Sequence, residues 1–275
     1  MAEKSLPFNK VQIQQIINKF PTPFHIYDEA AIRANARRLT KAFAWAPAFK
    51  EYFAVKATPN PTLLKILAEE GFGADCSSLP ELLLADMSGI KGEDIILTSN
   101  DTPADEFQKA IDLGAVINLD DITHIEYLEK NVRLPEFISF RYNPGPLLES
   151  SNTIIGKPEE AKYGLTREQL FEAYKIVKEK GVKRFGLHTM VISNELNADC
   201  FIATAQMMFE LAVELKQQLD IDLEFVNLGG GVGIPYTPEQ EEVDLEYVGA
   251  GIQKLYQNDI EENSIESIKI TMELG

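Results

Sequence analysis

The sequence of 275 residues is poor in cysteine, histidine and positive charge. Its two cysteines, Cys76 and Cys200, form neither a disulfide framework nor a metal-ligand spacing, and they suit a reducing cytoplasm. Lysine and arginine number 26 against 43 aspartates and glutamates, so the formal net charge is −17. A surface of that sign repels nucleic acid and anionic membranes, which makes both poor partners. The acids are dispersed. Even the densest stretch, Glu239, Glu241, Glu242 and Asp244, reads as solvated surface. No run approaches the ~18 apolar residues of a membrane span. The opening MAEKSLPFNK lacks the apolar core of a signal peptide. What remains is an ordinary soluble composition, 45% hydrophobic, and a length for one large domain or two small ones.

The chain repeats strand, turn, helix. Short apolar runs mark strands at Tyr52 to Lys56, Gly73 to Ser77, Asp94 to Thr98, Ala115 to Leu119, Phe137 to Tyr142, Arg184 to His188, Leu223 to Leu228 and Ile268 to Glu273. Helices follow with start signals: Asn60-Pro61, the capping boxes Ser78 to Glu81 and Thr166 to Gln169, Asp101 with Pro103, and Asp120-Asp121. Short strands that each feed an amphipathic helix imply parallel pairing. Eight of them predict a (β/α)8 TIM barrel, with a doubly wound open sheet as the alternative. Two features stand outside a barrel. Val11, Ile13, Ile16, Ile17 and Phe20 suit a helix and Phe24 to Tyr27 a strand, neither with an obvious partner, and the helix after the eighth strand is missing.

The C-terminal strand ends are the usual catalytic positions of such a barrel. They carry Lys56, Asp75, Ser99, Asn100, Asp120, Arg141, Asn143, His188, Gly229 to Gly231 and Glu273. Taken singly, each has an ordinary reading. Asp120, Asn100 and Asp75 could cap helices. Arg141 could pair with a carboxylate, His188 could be a hydrogen-bonded core histidine, and Lys56 could be a solvated strand end. Their coincidence on one face is the stronger signal. The run NLGGGVGIPY, Asn227 to Tyr236, lets backbone approach a ligand closely and aim several N–H groups at it, which suits phosphate. It has neither Walker A nor Rossmann spacing, and a tight turn would also explain it. A lysine, a phosphate cradle and the acid Glu273 together suggest pyridoxal 5′-phosphate. That cofactor needs an amine for its aldehyde, backbone donors for its phosphate and an acid for its ring nitrogen. Burial would activate Lys56 by disfavouring its charged form.

The stretch YFAVKATPNPTLLKILAEEGFGADCSS resembles the lysine motif of the alanine-racemase-like, fold type III pyridoxal-phosphate enzymes, and among them most resembles the diaminopimelate decarboxylases. FRYNPG, AKYGLT, FGLHTMVISNEL, NLGGGVGIPY and MELG follow in the family's order, covering about Phe24 to Gly275. The resemblance implies that Lys56 holds the cofactor aldehyde and that Glu273 meets the pyridine nitrogen. Gly230, Gly231 and Ser193 would lie near the phosphate, and Asp75 and Arg141 behind the lysine and the ring. His188 begins the run that the family writes H-x-H-x-G-S. Here Met190 replaces the second, ring-stacking histidine, so either His188 or Met190 covers the ring.

By the same resemblance the reaction is decarboxylation of meso-2,6-diaminopimelate to L-lysine in a cytoplasmic homodimer, a step of lysine biosynthesis. Decarboxylation of ornithine or carboxynorspermidine, or cofactor binding without turnover, are the rivals. Residues 1–28 are expected to pair with a C-terminal β domain, and residues 29–275 to form the cofactor barrel. The family continues beyond Gly275 with an arginine and that β domain, so the chain alone is expected to be weakly active or inactive.

Overall fold

A computed structural model describes residues 6–145, 163–263, 265 and 267–275. Of the AKYGLT motif, Ala161 and Lys162 lie outside the described residues. The strands are β1 (Phe49–Ala54), β2 (Gly73–Cys76), β3 (Ile95–Ser99), β4 (Val116–Leu119), β5 (Phe137–Tyr142), β6 (Arg184–Thr189), β7 (Leu223–Asn227) and β8 (Lys269–Met272). Each pairs in parallel with the next, and β8 closes on β1 with Phe49 opposite Ile270. The predicted TIM barrel is therefore the fold, and the open sheet is not.

The helices are α1 (Lys10–Ile17), α2 (Glu29–Ala42), α3 (Pro61–Glu69), α4 (Leu79–Met87), α5 (Ala104–Leu113), α6 (Thr123–Asn131), α7 (Arg167–Glu179), α8 (Ala198–Leu219) and α9 (Leu245–Leu255). Asn60 caps α3 through the Thr62 N–H, with Pro61 in the first turn. Thr166 and Gln169 form the full capping box of α7. At α4 the predicted box does not form: Ser78 caps no N–H, and Glu81 reaches past the cap to the Ser77 N–H and the hydroxyls of Ser77 and Ser78. Asp101 is not the cap of α5; Pro103 occupies that position without a side-chain bond.

As expected, no helix follows β8 among the described residues, but its place in the ring is filled. α2, which precedes β1, packs between α3 and α9 and fills the place of a helix after β8. Its buried face is Ala36, Leu39 and Ala42. Its polar flanks bind both neighbours: Arg33 and Arg37 pair with Glu70 on the α3 side, while Arg38 and Lys41 pair with Glu242 and Glu246 on the α9 side. Helix α1 forms as expected, with a capping box at Asn9 and Gln12, and buries none of its residues. Phe24 to Tyr27 has no ladder partner among the described residues, and the partner expected for it belongs to the β domain that the family carries after the barrel.

The Glu70 carboxyl, bonded by Arg37 first and Arg33 second, is pulled from 4.5 down to about 2. A depressed carboxyl adds stability above its unfolded value and loses it as pH falls through the folded one. Glu70→Gln is therefore expected to lower the melting temperature at neutral pH. The difference from wild type should shrink between pH 4.5 and about 2. Thermal melts across that range check it, and a constant difference would contradict it.

Strand alternation sorts the lumen into layers. Tyr52, Ile96, Val116, Phe137 and Phe225 form an apolar plug in the lower barrel. Phe225 needs Gly186 opposite, since a Cβ there would lie 2.3 Å from its ring. Two residues further along the same faces come Ala54, Thr98, Asn118, Ser139 and Asn227, with Asp75 and Thr271 at the corresponding positions of β2 and β8. Above them lie Lys56, Asp120, Arg141, Gly229 and Glu273 at the mouth, with His188 reaching up from β6.

Candidate active site

Lys56 is not the buried strand end that the run YFAVK implies. β1 stops at Ala54, and a single 3-10 turn, Val55–Ala57, lifts the lysine out of the wall. Its side chain is 65% exposed, so burial by the protein does not supply the expected activation. Its amine stands 3.9 Å from Oδ2 of Asp75, whose side chain is 4% exposed. Burial, reinforced by the Glu273 charge, pushes the Asp75 carboxyl well above its ordinary range, against the pull of Lys56. Asp75 caps no helix. Its Oδ1 has no hydrogen-bond partner among the described residues.

Glu273 follows β8 at the centre of a buried network. Asn227 Nδ2 donates to its Oε1 at 2.7 Å. His188 Nε2 lies 3.2 Å from its Oε2, close but poorly aligned for a hydrogen bond. The other ring nitrogen of His188 meets Asn118 Nδ2 at 2.8 Å. Burial alone would raise the Glu273 carboxyl, but the adjacent His188, with the charges of Arg141 and Lys56, holds it below its ordinary value. Two buried acids in one mouth are thus driven apart, Asp75 toward the neutral form and Glu273 toward the ionised one.

Asp120 is not a helix cap. It turns into the barrel and accepts from Arg141 Nε at 2.5 Å, with 2% of its side chain exposed. Asp121 instead takes the Thr123 N–H at the start of α6. Arg141 also lies over the Tyr163 ring, 4.6 Å from its centre. Removing one partner of such a buried pair strands the other, at a cost of about 3–5 kcal/mol. Arg141→Ala is expected to destabilise the barrel by that amount in urea unfolding, and Asp120→Asn/Arg141→Met by less.

The glycine run turns at the top of β7. A Cβ at Gly230 would lie 1.7 Å from the Glu273 carbonyl, at Gly229 2.4 Å from the Thr189 carbonyl, and at Gly231 2.3 Å from the Ile192 carbonyl. The three glycines are thus required by backbone packing whether or not a ligand binds. The turn still joins the site, because Glu273 N–H donates to the Gly229 carbonyl at 2.8 Å. Gly230 N–H points at the Met190 sulfur, a weak acceptor, at 3.4 Å. Ser193 packs against Gly231. An apolar groove of about 550 Å³ opens beside this mouth, between α2, α3 and the loop after β7, lined by Tyr27, Phe53, Leu63, Ile234 and Leu274 among others.

The fold therefore gathers Lys56, Asp75, Arg141, His188 and Glu273 at one mouth and seats Gly229 to Gly231 and Ser193 beside them. Sequence reasoning missed Asn118 and Asn227, which hold His188 and Glu273. The signal was an asparagine one residue before the end of an apolar run, on the inward face. It also missed Glu51, which is buried on the outer face of β1 and accepts the Leu274 N–H. Chemically, an exposed amine beside a buried acid can capture a carbonyl. An ionised buried carboxylate can hold a proton on a ligand nitrogen, and glycine N–H groups can meet an anion.

Residues 29–275 match the family model described as the pyridoxal-dependent decarboxylase, pyridoxal binding domain. Protein TabA of Pseudomonas amygdali pv. tabaci is 36% identical over 263 residues, covering 96% of this chain and 61% of that protein. Diaminopimelate decarboxylase of Methanothermobacter thermautotrophicus is 30% identical over 262 residues, covering 95% of this chain and 61% of its own length. The solved structure of diaminopimelate decarboxylase from Helicobacter pylori with L-lysine superposes with a TM-score of 0.84 at 25% identity, covering 96% of this chain and 66% of that one. The chain thus spans about 61% of the length of these two curated relatives.

Proposed function

Because the chain belongs to the pyridoxal-dependent decarboxylases, we propose that it is the cofactor barrel of an enzyme converting meso-2,6-diaminopimelate to L-lysine and carbon dioxide. The observation that carries the reading is the meeting at one mouth of the Lys56 amine, Asp75 with its carboxyl pushed up by burial, and Glu273 with its carboxyl held down beside His188. Relatives named diaminopimelate decarboxylase, and neighbours solved with L-lysine, support the substrate.

The residues fit pyridoxal phosphate. Bound there, it would supply an aldehyde for amine capture and a ring that accepts the electron pair released with carbon dioxide. Lys56 would hold the aldehyde and yield it to the substrate amine. Glu273, kept ionised by His188, would hold a proton at the ring nitrogen. His188 would act on Glu273 as a positioning residue, because Asn118 holds one of its nitrogens and the other stands 3.2 Å from the Glu273 carboxylate. Met190, at the glycine turn, would cover the ring. Gly230, Gly231 and Ser193 would receive the phosphate, and Arg141, held by Asp120, would face the ring's phenolic side. The working assembly is proposed to be a cytoplasmic homodimer.

The test is carbon dioxide release by the cofactor-loaded protein from meso-diaminopimelate, L-ornithine and carboxynorspermidine. At least about 10²-fold preference for the first is expected, since polar contacts to the far amino-acid end reject substrates that lack it. Preference for ornithine or carboxynorspermidine would move the reading to another basic amino acid. Cofactor binding without release from any, in a protein of its relatives' full length, would favour a non-catalytic binding protein, the second reading suggested by Met190 in the histidine position.

A further inference from the structure

Beneath the mouth, the lumen changes character. The plug layer is bulky and apolar, but the next positions on the same faces are small or polar: Ala54, Thr98, Asn118, Ser139, Asn227 and Thr271. Thr98 stands opposite Asn118, Asn118 opposite Ser139, and Asn227 opposite Thr271 in the parallel register. Six buried polar atoms at and just above this level have no hydrogen-bond partner among the described residues: Asp75 Oδ1, Thr98 Oγ1, Asn118 Oδ1, Ser139 Oγ, His188 Nε2 and Thr271 Oγ1. They come from six different strands, and Ser139 and Thr271 are fully buried. One unpartnered buried atom is costly, and six together would rival the net stability of a domain. Small side chains and converging polar atoms are the conditions under which ordered water fills an interior.

We propose that the middle layer of the lumen is a water-binding chamber whose ordered waters connect Asp75 to the His188–Glu273 pair. At about three hydrogen bonds per buried water, six atoms call for about two waters. The chamber does not depend on the proposed reaction. It gives the mouth a proton route through the barrel interior. A proton leaves Asp75 as its O–H bond breaks, and the adjacent water takes it. That water releases one of its own to the next, and Glu273 accepts the last. Asp75 ends ionised and Glu273 neutral, with no change in total charge. Asp75, raised, holds the proton at rest and Glu273, lowered, receives it only against that displacement, so the transfer runs uphill and reverts unless Glu273 passes the proton on.

The test uses Thr98→Val/Ser139→Ala/Thr271→Val, which removes three hydroxyls without adding bulk. Oxygen-17 magnetic relaxation dispersion counts long-lived internal waters in the full chain. Wild type should show them and the variant should lose about two. The variant's melting temperature should fall, because Asp75 and Asn118 lose their bridging partners. An unchanged dispersion together with a raised melting temperature would mean a dry lumen relieved of three unpartnered hydroxyls, and would overturn the proposal. Should the triple variant not fold, Ser139→Ala alone gives the same two signs. The proton route is read separately. The chain has three histidines, so nitrogen-15 spectra resolve the His188 ring. Its ring proton should exchange with solvent several-fold more slowly in the variant. An unchanged exchange rate would overturn the route while leaving the waters.

Discussion

Borohydride reduction of the chain loaded with pyridoxal phosphate is expected to fix one pyridoxyl group, on Lys56, and Lys56→Ala to abolish it. Many other lysines are spoken for: Lys41, Lys130, Lys180 and Lys216 are within 2.9 Å of carboxylates. At Lys41 and Lys216 the carboxylates hold the amine in its charged form, which does not attack an aldehyde. Lys56 faces an acid 3.9 Å away that is itself pushed toward the neutral form. Lys56→Arg is expected to fail equally, since it keeps the charge and loses the nucleophile. Because the side chain is exposed, neither variant should change stability by more than about 0.5 kcal/mol. Peptide mapping reads the site directly. Label spread over surface lysines would remove Lys56 from its proposed role while leaving the fold untouched.

Glu273→Gln is expected to cost about 10²- to 10⁴-fold in kcat, the usual weight of one proton-handling group, with the Lys56 label intact. The amide can still accept from Asn227, so the network keeps one of its bonds. What it cannot do is carry the charge that holds a proton on a ring nitrogen. Kinetics and trapping together separate this from collapse of the site, because a collapsed site loses both. The variant has a second signature. The folded carboxyl lies below 4.5, so its contribution to stability is present above that pH and fades as pH falls through the lowered value. Acid melts of Glu273→Gln should lack that fading component. Full kcat with unchanged acid melts would show that Glu273 is a bystander.

Most strands were legible because short apolar runs between glycines and prolines have few other readings. β1 was found late and drawn too long, for one reason at each end. Lys50 and Glu51 hide its first half behind charge, and the 3-10 turn that carries Lys56 continues the apolar pattern of a strand. The residues at the mouth were legible as a set but not in their pairings. Asp120 reads locally as a cap, and only the neighbouring strand shows that Arg141 claims it. Asn118 and Asn227 give no signal stronger than one polar letter on an inward face. Which helix completes the outer ring was not legible at all, because α2 is joined in sequence to β1 but held in space by α3 and α9.

That last arrangement bears on how the protein is made. A ribosome releases α2 before any strand of the barrel, while its neighbours Glu242 and Glu246 and the strand that pairs with Phe49 come some two hundred residues later. The first helix of the ring must wait, with Ala36 and Leu39 uncovered, for the last third of the chain. Closure is the most non-local contact in the molecule and should be the slow step of folding, since loop entropy is lost before those contacts repay it. Nascent chains stalled before β8 should expose α2 to proteases and chaperones, and chains released after it should not.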